Sequence, residues 1–343
     1  MKLTAVLLAV ALAIGGWLIR PGALHLAESR TGDTELQRFI DDHYEGPGHR
    51  LSVAVVEDSG TRYAGRGTDE HGSFEIGSIS KALTGILLGE AVRSGEVKLD
   101  QQVGSLLPLD GSEVASATLE DLATHQSGLP NTTRKPLPAV RSLLASLAAD
   151  NPYPYSVDQL LDQARAASTK GRGESTYSNL GGALLGQALA RQAGTTYPEL
   201  LQDRVFEPVG MQESRTPISD AGAAPDGYGS GGRRQAPWVQ TGYAPAGGVV
   251  STANDLALLA RTLLSGKYVE ALAPRRDFDE DRVGLFWLTT PLPDNRSMVW
   301  HNGGTGGYRS FIGLDLERHR AVVVLSDVAV PVDDFATELL EDQ

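Results

Sequence analysis

None of the 343 residues is cysteine. That absence removes disulfides, thiolate metal sites, a cysteine nucleophile and a lipid-modified amino-terminal cysteine together. Positive charge is also short: 30 Lys and Arg stand against 43 Asp and Glu, a formal net charge of −13. A chain this acidic, without a basic stripe, argues against nucleic acid as a partner. Apart from His301, taken up below, the histidines show no ligand spacing; no metal and no other cofactor is expected. There is no internal repeat, and low-complexity bias is limited to a polar, Gly-rich stretch at residues 217–237.

What is present begins with an uncharged apolar run at residues 3–19, preceded by Lys2 and closed by Arg20-Pro21-Gly22. It is long for a signal-peptide core and just short of a standard membrane span. Ala11-Leu12-Ala13 resembles a cleavage site placed very early. The run predicts export, as a cleaved signal or as an uncleaved membrane anchor. The functional part is then extracytoplasmic: periplasmic, on the cell surface or secreted. Residues 1–27 are set apart on this ground, leaving one domain over residues 28–343.

Within that domain, residues 35–44 have helical periodicity, with Leu36, Phe39 and Ile40 on one side. Residues 51–56 and 61–64 flank the turn Asp58-Ser59-Gly60 and read as a hairpin. Strand-like runs then vanish. Pro and Gly punctuate short helical segments at 119–124, 140–149, 157–167, 179–192 and 197–205. After Gly247, Ser251 to Asp255 offers helix-capping chemistry before an apolar helix stripe. Strands follow at 283–288, 298–301, 309–316 and 321–326, then a closing helix at 333–340. Strands joined by turn-length links are antiparallel. The expected class is α/β (α+β): an antiparallel sheet flanked by helices, with a sheet lobe over 28–93 and 245–343 and an all-helical lobe inserted at 94–244.

The chain is organised around Ser78-Ile79-Ser80-Lys81. Residues 82–92 are apolar on nearly every face, so Ser78 opens a buried helix. Positions i and i+3 share a face, which sets the Lys81 amine beside the Ser78 hydroxyl. The helix dipole and burial both disfavour the charged lysine, leaving an amine able to take the serine proton. Tyr177-Ser178-Asn179 precedes a second apolar helix; Tyr177 can relay a proton and Asn179 can bind an amide carbonyl. His301-Asn302-Gly303-Gly304 ends a strand and enters a run with four glycines in five residues, 303–307, where a ligand can approach the backbone. The amides of Ser78 and Gly304 are candidates for an oxyanion hole. Each stretch alone has a plain explanation: a capping serine with a snorkelling lysine, a turn tyrosine beside a helix cap, a tight hairpin.

Together, in this order, the three stretches resemble the motifs of the serine β-lactamase and penicillin-binding DD-peptidase superfamily. Ser78-x-x-Lys81 is similar to its nucleophile motif. Tyr177-x-Asn179 is similar to the second motif of class C β-lactamases and their DD-carboxypeptidase, D-aminopeptidase and esterase relatives. His301-x-Gly303 is similar to the third, Lys-Thr-Gly in most lactamases and His-x-Gly in some peptidases. Residues 122–130, which include His125, and residues 247–256 also match stretches of the family. The resemblance covers roughly residues 33–343. It implies the β-lactamase/transpeptidase-like fold and an acyl-enzyme on Ser78. Lys81 and Tyr177 would move protons, His301 would share the catalytic set, and Asn179, Gly303 and Gly304 would hold substrate. His125 is read as structural.

The third motif departs from the pattern. His301 replaces lysine, and Asn302 and Gly304 stand where hydroxyl residues would hold a substrate carboxylate, leaving Thr305 or Arg309 as substitutes. The implied substrate is a small molecule or a peptidoglycan-derived amide or ester, whether β-lactam, D-peptide or carboxylester. The alternative is a non-catalytic cell-wall binding or sensing domain with the same fold.

Overall fold

Every residue from Leu51 to Val56 is buried, which demands cover on both faces of the strand. The computed structural model supplies it; the structure describes residues 24–132, 140, 143–145 and 147–342. Residues 1–23, with the uncharged run, and part of the expected helix at 140–149 lie outside the described residues. Among the described residues no helix is long and apolar enough to cross a membrane.

Thirteen strands are formed among the described residues: β1 (Arg30–Gly32), β2 (Leu51–Glu57), β3 (Gly60–Arg66), β4 (Phe74–Glu75), β5 (Gly227–Tyr228), β6 (Arg234–Gln235), β7 (Val250–Ser251), β8 (Arg276–Phe278), β9 (Asp281–Val283), β10 (Leu288–Pro291), β11 (Ser297–Gly304), β12 (Arg309–Asp315) and β13 (Arg320–Ser326). Nine make one antiparallel sheet in the order β1-β3-β2-β13-β12-β11-β10-β9-β8. The expected hairpin is β2–β3, paired from Leu51↔Arg66 to Glu57↔Gly60. The helices that matter for the site are α1 (Thr34–His43), α2 (Ile79–Arg93), α3 (Leu119–Ala123), α4 (Val157–Arg165), α5 (Asn179–Ala193), α6 (Ala244–Gly247), α7 (Ala253–Leu264) and α8 (Asp333–Glu341).

Alternation along the strands sorts the core into two layers. Val53, Val55, Val322, Val324, Met298 and Phe311 face α1 and α8, where Leu36, Ile40, Phe335 and Leu339 close over them. Ala54, Val56, Val323, Leu325, Val299 and Ile312 face the other way, onto the cluster that contains α2, α5 and α7. Side chains at Met298, Trp300 and Asn302 thus share one face of β11, and those at Val299 and His301 the other. The helical segments between β4 and β7 pack on α2, so the buried helix after Ser78 is the centre of the larger core.

Two expectations are corrected. Residues 283–288 are not a strand: β9 ends at Val283 and β10 begins at Leu288. Leu285, Phe286 and Trp287 are buried because they plug the space beside α2. Their backbone bonds go to Ala271 and Ala123 instead of a neighbouring strand, and Phe286 takes a positive φ of 67°. The plug fits because Gly85 on α2 has no side chain; a Cβ there would lie 1.9 Å from the carbonyl oxygen of Leu285. The Gly-rich stretch at 217–237 is not wholly irregular either, since β5 and β6 pair within it.

Candidate active site

Ser78 stands at the amino end of α2, immediately after β4 and the tight Gly77 turn (φ +48°). Its side chain makes no capping hydrogen bond, so the hydroxyl is not used on its own helix. Instead Oγ lies 3.0 Å from Nζ of Lys81 and accepts a hydrogen bond from the Tyr177 hydroxyl at 2.7 Å. Lys81 is fully buried and also donates to the carbonyl of Ala246 on α6 at 2.6 Å. Its stem runs past α5 at Gly182, where a Cβ would sit 3.2 Å from the lysine Cε. Lys81 Nζ lies 4.8 Å from the centroid of the Tyr177 ring.

No carboxylate pairs with Lys81 among the described residues, and desolvation drives its pKa well below the ordinary lysine value. Burial drives the Tyr177 phenol the other way, far above its usual range, against the hydrogen bond to Ser78. Both effects favour neutral forms: an amine with a lone pair and a phenol with its proton. The serine hydroxyl therefore has one neighbour able to accept a proton and one able to donate.

Tyr177 is aimed by its surroundings. Ser178, not Asn179, caps α5: its Oγ accepts from the Gly181 amide at 2.9 Å and donates to the Pro130 carbonyl at 2.8 Å. The Ser178 amide donates to Nδ1 of His125, whose ring packs on Tyr177 with centroids 4.5 Å apart. Asn179 donates from Nδ2 to the Tyr153 hydroxyl at 3.2 Å and lines the cleft.

His301 is buried on the face of β11 that looks toward α2, with Nδ1 2.6 Å from the Asn302 carbonyl. Its ring makes no hydrogen bond to Ser78, Lys81 or Tyr177 among the described residues. Burial, helped by the nearby Lys81, lowers its pKa to about 3, so the imidazole is neutral. Asn302 points the opposite way, and its amide donates to Asp333 at the start of α8. Arg309 is engaged by the carbonyls of Thr305 and Tyr308, at 3.0 and 2.8 Å. Thr305 is buried. The substitute carboxylate clamps considered from the sequence are thus not displayed at the nucleophile.

The Gly304 amide is placed by strand geometry. Thr305 donates its N–H to Tyr308 across the β11–β12 turn. Amide direction alternates along an antiparallel strand, so the Gly304 N–H points away from β12. On that side β10 pairs only with Ser297 to Trp300, and no strand covers Gly304. Gly77 occupies the space: a Cβ on it would lie 2.5 Å from the Gly304 nitrogen. Gly303 is needed for the same close approach, since its Cβ would lie 2.0 Å from the Ile76 carbonyl oxygen. The Gly304 amide thus stands beside the residue that precedes Ser78.

Ser78, Asn179, Ala246, Gly247 and Gly304 line a cavity of about 120 Å³ together with Tyr153, Trp238, Gln240 and Tyr243. Those last four were not identified from the sequence; the only signal is the aromatic cluster itself, at 153–155 and 238–243. A larger cavity, about 810 Å³, lies beside α4 and α5 around Leu161, Gln187 and Tyr197 and contains none of the motif residues. Among the described residues no group of His, Asp and Glu is placed to hold a metal ion.

The sequence is 23% identical over 360 residues to the D-alanyl-D-alanine-carboxypeptidase/endopeptidase AmpH of Escherichia coli K12, covering 89% of this chain and 88% of that one. It is 26% identical over 303 residues to a β-lactamase of the same organism, covering 75% and 76%. The fold superposes on the crystal structure of a class C β-lactamase from Rhodobacter sphaeroides with a TM-score of 0.72 at 23% identity, over 89% of this chain and 98% of that one. The family described as Beta-lactamase matches residues 36–342, so the chain belongs to the β-lactamase family of serine hydrolases.

Proposed function

We propose that this protein is an extracytoplasmic serine hydrolase that forms an acyl-enzyme on Ser78 and cleaves small carboxylesters in preference to β-lactams. The observation that carries the reading is the double contact at Ser78 Oγ, with Lys81 at 3.0 Å and Tyr177 at 2.7 Å. The neutral Lys81 amine takes the serine proton as Oγ bonds to the substrate carbonyl carbon. The amides of Ser78 and Gly304 hold the developing oxyanion. The bond to the leaving alkoxide then breaks as the serine proton held by Lys81 is passed to it through the Tyr177 hydroxyl, so that Lys81 returns to the neutral amine and Tyr177 keeps a proton. Water attacks the acyl-enzyme and releases the acid, returning Ser78 to its resting form.

Preference for esters follows from the third motif. A neutral His301 offers no cation to a substrate carboxylate. An anion drawn toward Asn302 meets the carboxylate of Asp333. An ester needs only the nucleophile, the base and the oxyanion donors. The cavity beside Ser78 is small, about 120 Å³, which suits a short acyl group. The export signal at residues 3–19 is the ground for an extracytoplasmic location.

The test is covalent labelling. A fluorophosphonate probe is expected to add to Ser78, located by mass spectrometry of the digested adduct. Equal labelling of Ser78→Ala would overturn the reading. A protein that binds muropeptides but turns over none of nitrocefin, a D-Ala-D-Ala peptide or p-nitrophenyl esters would instead be the non-catalytic binding domain.

A further inference from the structure

Glu75 lies three residues before Ser78 on β4 and is 5% exposed, yet it has no cationic partner among the described residues. Its Oε1 accepts the backbone N–H of Trp238 at 2.6 Å, and the Thr305 side chain lies near enough to the same carboxylate to favour its charged form. These two partners belong to different walls of the cleft. Trp238 lines the cavity beside Ser78. Thr305 directly follows Gly304. The indole also approaches the glycine run, since a Cβ on Gly306 would lie 3.3 Å from Trp238 Nε1.

The other groups that face Glu75 do not neutralise it. The Tyr308 phenol, near the start of β12, feels the negative charge of Glu75 but donates to the Pro225 carbonyl. Arg50, on the approach to β2, lies over the Phe74 ring but is bonded to Asp327. β7 contributes only Val250 and Ser251. Burial pushes the carboxyl up to about 6, against the Thr305 side chain and the Trp238 N–H, which favour the anion.

We propose that Glu75 is a positioning residue for the cleft: its carboxylate clasps the Trp238 segment and the turn after Gly304 in one register, and protonation loosens both. The proposal rests on Ser78 as the nucleophile only for its kinetic consequence. A hydrogen bond to a charged acceptor is roughly twice as strong as one to a neutral acceptor. Losing the charge therefore weakens the hold on the substrate-facing wall without touching Ser78, Lys81 or Tyr177. A loosened Trp238 wall raises KM, and any displacement of the Gly304 amide lowers kcat with it.

Two readouts test this on the full chain. Trp238 emission, taken as the difference between wild type and Trp238→Phe, is expected to titrate with a midpoint near pH 6. Glu75→Gln should abolish that titration. Thr305→Val, which removes a group favouring the anion, should move the midpoint upward. With a short-chain aryl ester, wild-type KM should rise about fivefold as the carboxylate is protonated, the equivalent of the roughly 1 kcal/mol that separates charged from neutral hydrogen bonds. Glu75→Gln should show that high KM at every pH, and Glu75→Asp should restore the dependence in part. A titration that survives Glu75→Gln, or a Glu75→Gln KM that keeps the wild-type pH profile, overturns the proposal. The emission titration needs no turnover and can be repeated in Ser78→Ala. Its failure is thereby distinct from failure of Ser78 labelling, which would overturn the hydrolase reading instead.

Discussion

The Ser178 amide donates to Nδ1 of His125 at 3.2 Å, which fixes the proton of that imidazole on Nε2 and holds its ring against Tyr177. One histidine thus joins the loop after α3 to the turn that carries the second motif. Burial, with Lys81 and His301 nearby, keeps it neutral. His125→Phe preserves the ring contact but strands a buried amide, a loss of about 1–3 kcal/mol. Urea unfolding should show that loss. The acylation rate should fall with it, because Tyr177 is no longer held at the serine. An unchanged rate in a destabilised variant would show that the ring stack alone aims Tyr177.

Lys81→Ala and Tyr177→Phe should each lower acylation of a p-nitrophenyl ester by about a hundredfold or more, the usual weight of general acid–base catalysis. The double variant should lose little beyond the worse single change, since both groups touch one oxygen and act as a unit. Stopped-flow acylation rates check this; simply additive losses would mean two separate proton paths.

The pH dependence follows from the depressed Lys81 pKa. The amine must be unprotonated to accept the serine proton. Because burial lowers its pKa well below the ordinary value, activity should already be present at neutral pH and fall on the acid side as the amine is protonated. Activity that rises steadily through pH 9–10 would show an ordinary, charged lysine.

Stability should fall on acidification through His301. Its folded pKa is about 3 and its unfolded value about 6.5, so the unfolded chain binds the proton first. A group with a depressed pKa contributes full stability above the unfolded value and loses it as pH falls. Between pH 6.5 and 4.5 this loss is roughly 2 kcal/mol. Denaturation curves of His301→Asn should show a correspondingly flatter dependence over that window.

Substrate preference can be moved at the far end of β11. The native protein should hydrolyse p-nitrophenyl butyrate faster than nitrocefin. Asp333→Asn removes the carboxylate behind Asn302 and should raise nitrocefin turnover with little change on the ester. Nitrocefin turnover of roughly ten per second in the native protein, an ordinary enzyme rate, would mean the carboxylate is recognised elsewhere. Arg309→Ala would then be the first variant to measure.

The three motifs were legible because their chemistry is local. Lys81 lies one turn from Ser78 on a helix whose apolar pattern is unmistakable, and the glycine run announces a close backbone approach. Strands β2 and β13 were legible because β-branched runs between turns have few other readings, and β3 because it returns from the turn Asp58-Ser59-Gly60. Residues 283–288 misled because a buried apolar run has the same composition in a strand or in a plug. What decides is the partner of its backbone, here Ala271 and Ala123.

The sequence by itself determined the family and the antiparallel sheet flanked by helices, and spacing along one helix set Lys81 beside Ser78. Only the tertiary structure decided which side of β11 each residue of the third motif faces, that Asn302 is spent on Asp333, that Tyr153, Trp238, Gln240 and Tyr243 wall the cleft, and that Glu75 lies buried between its two sides. The physical reason is distance along the chain. Glu75 meets Trp238 across 163 residues and Tyr177 meets Ser78 across 99, and no local pattern encodes a contact made when separate segments close on one core.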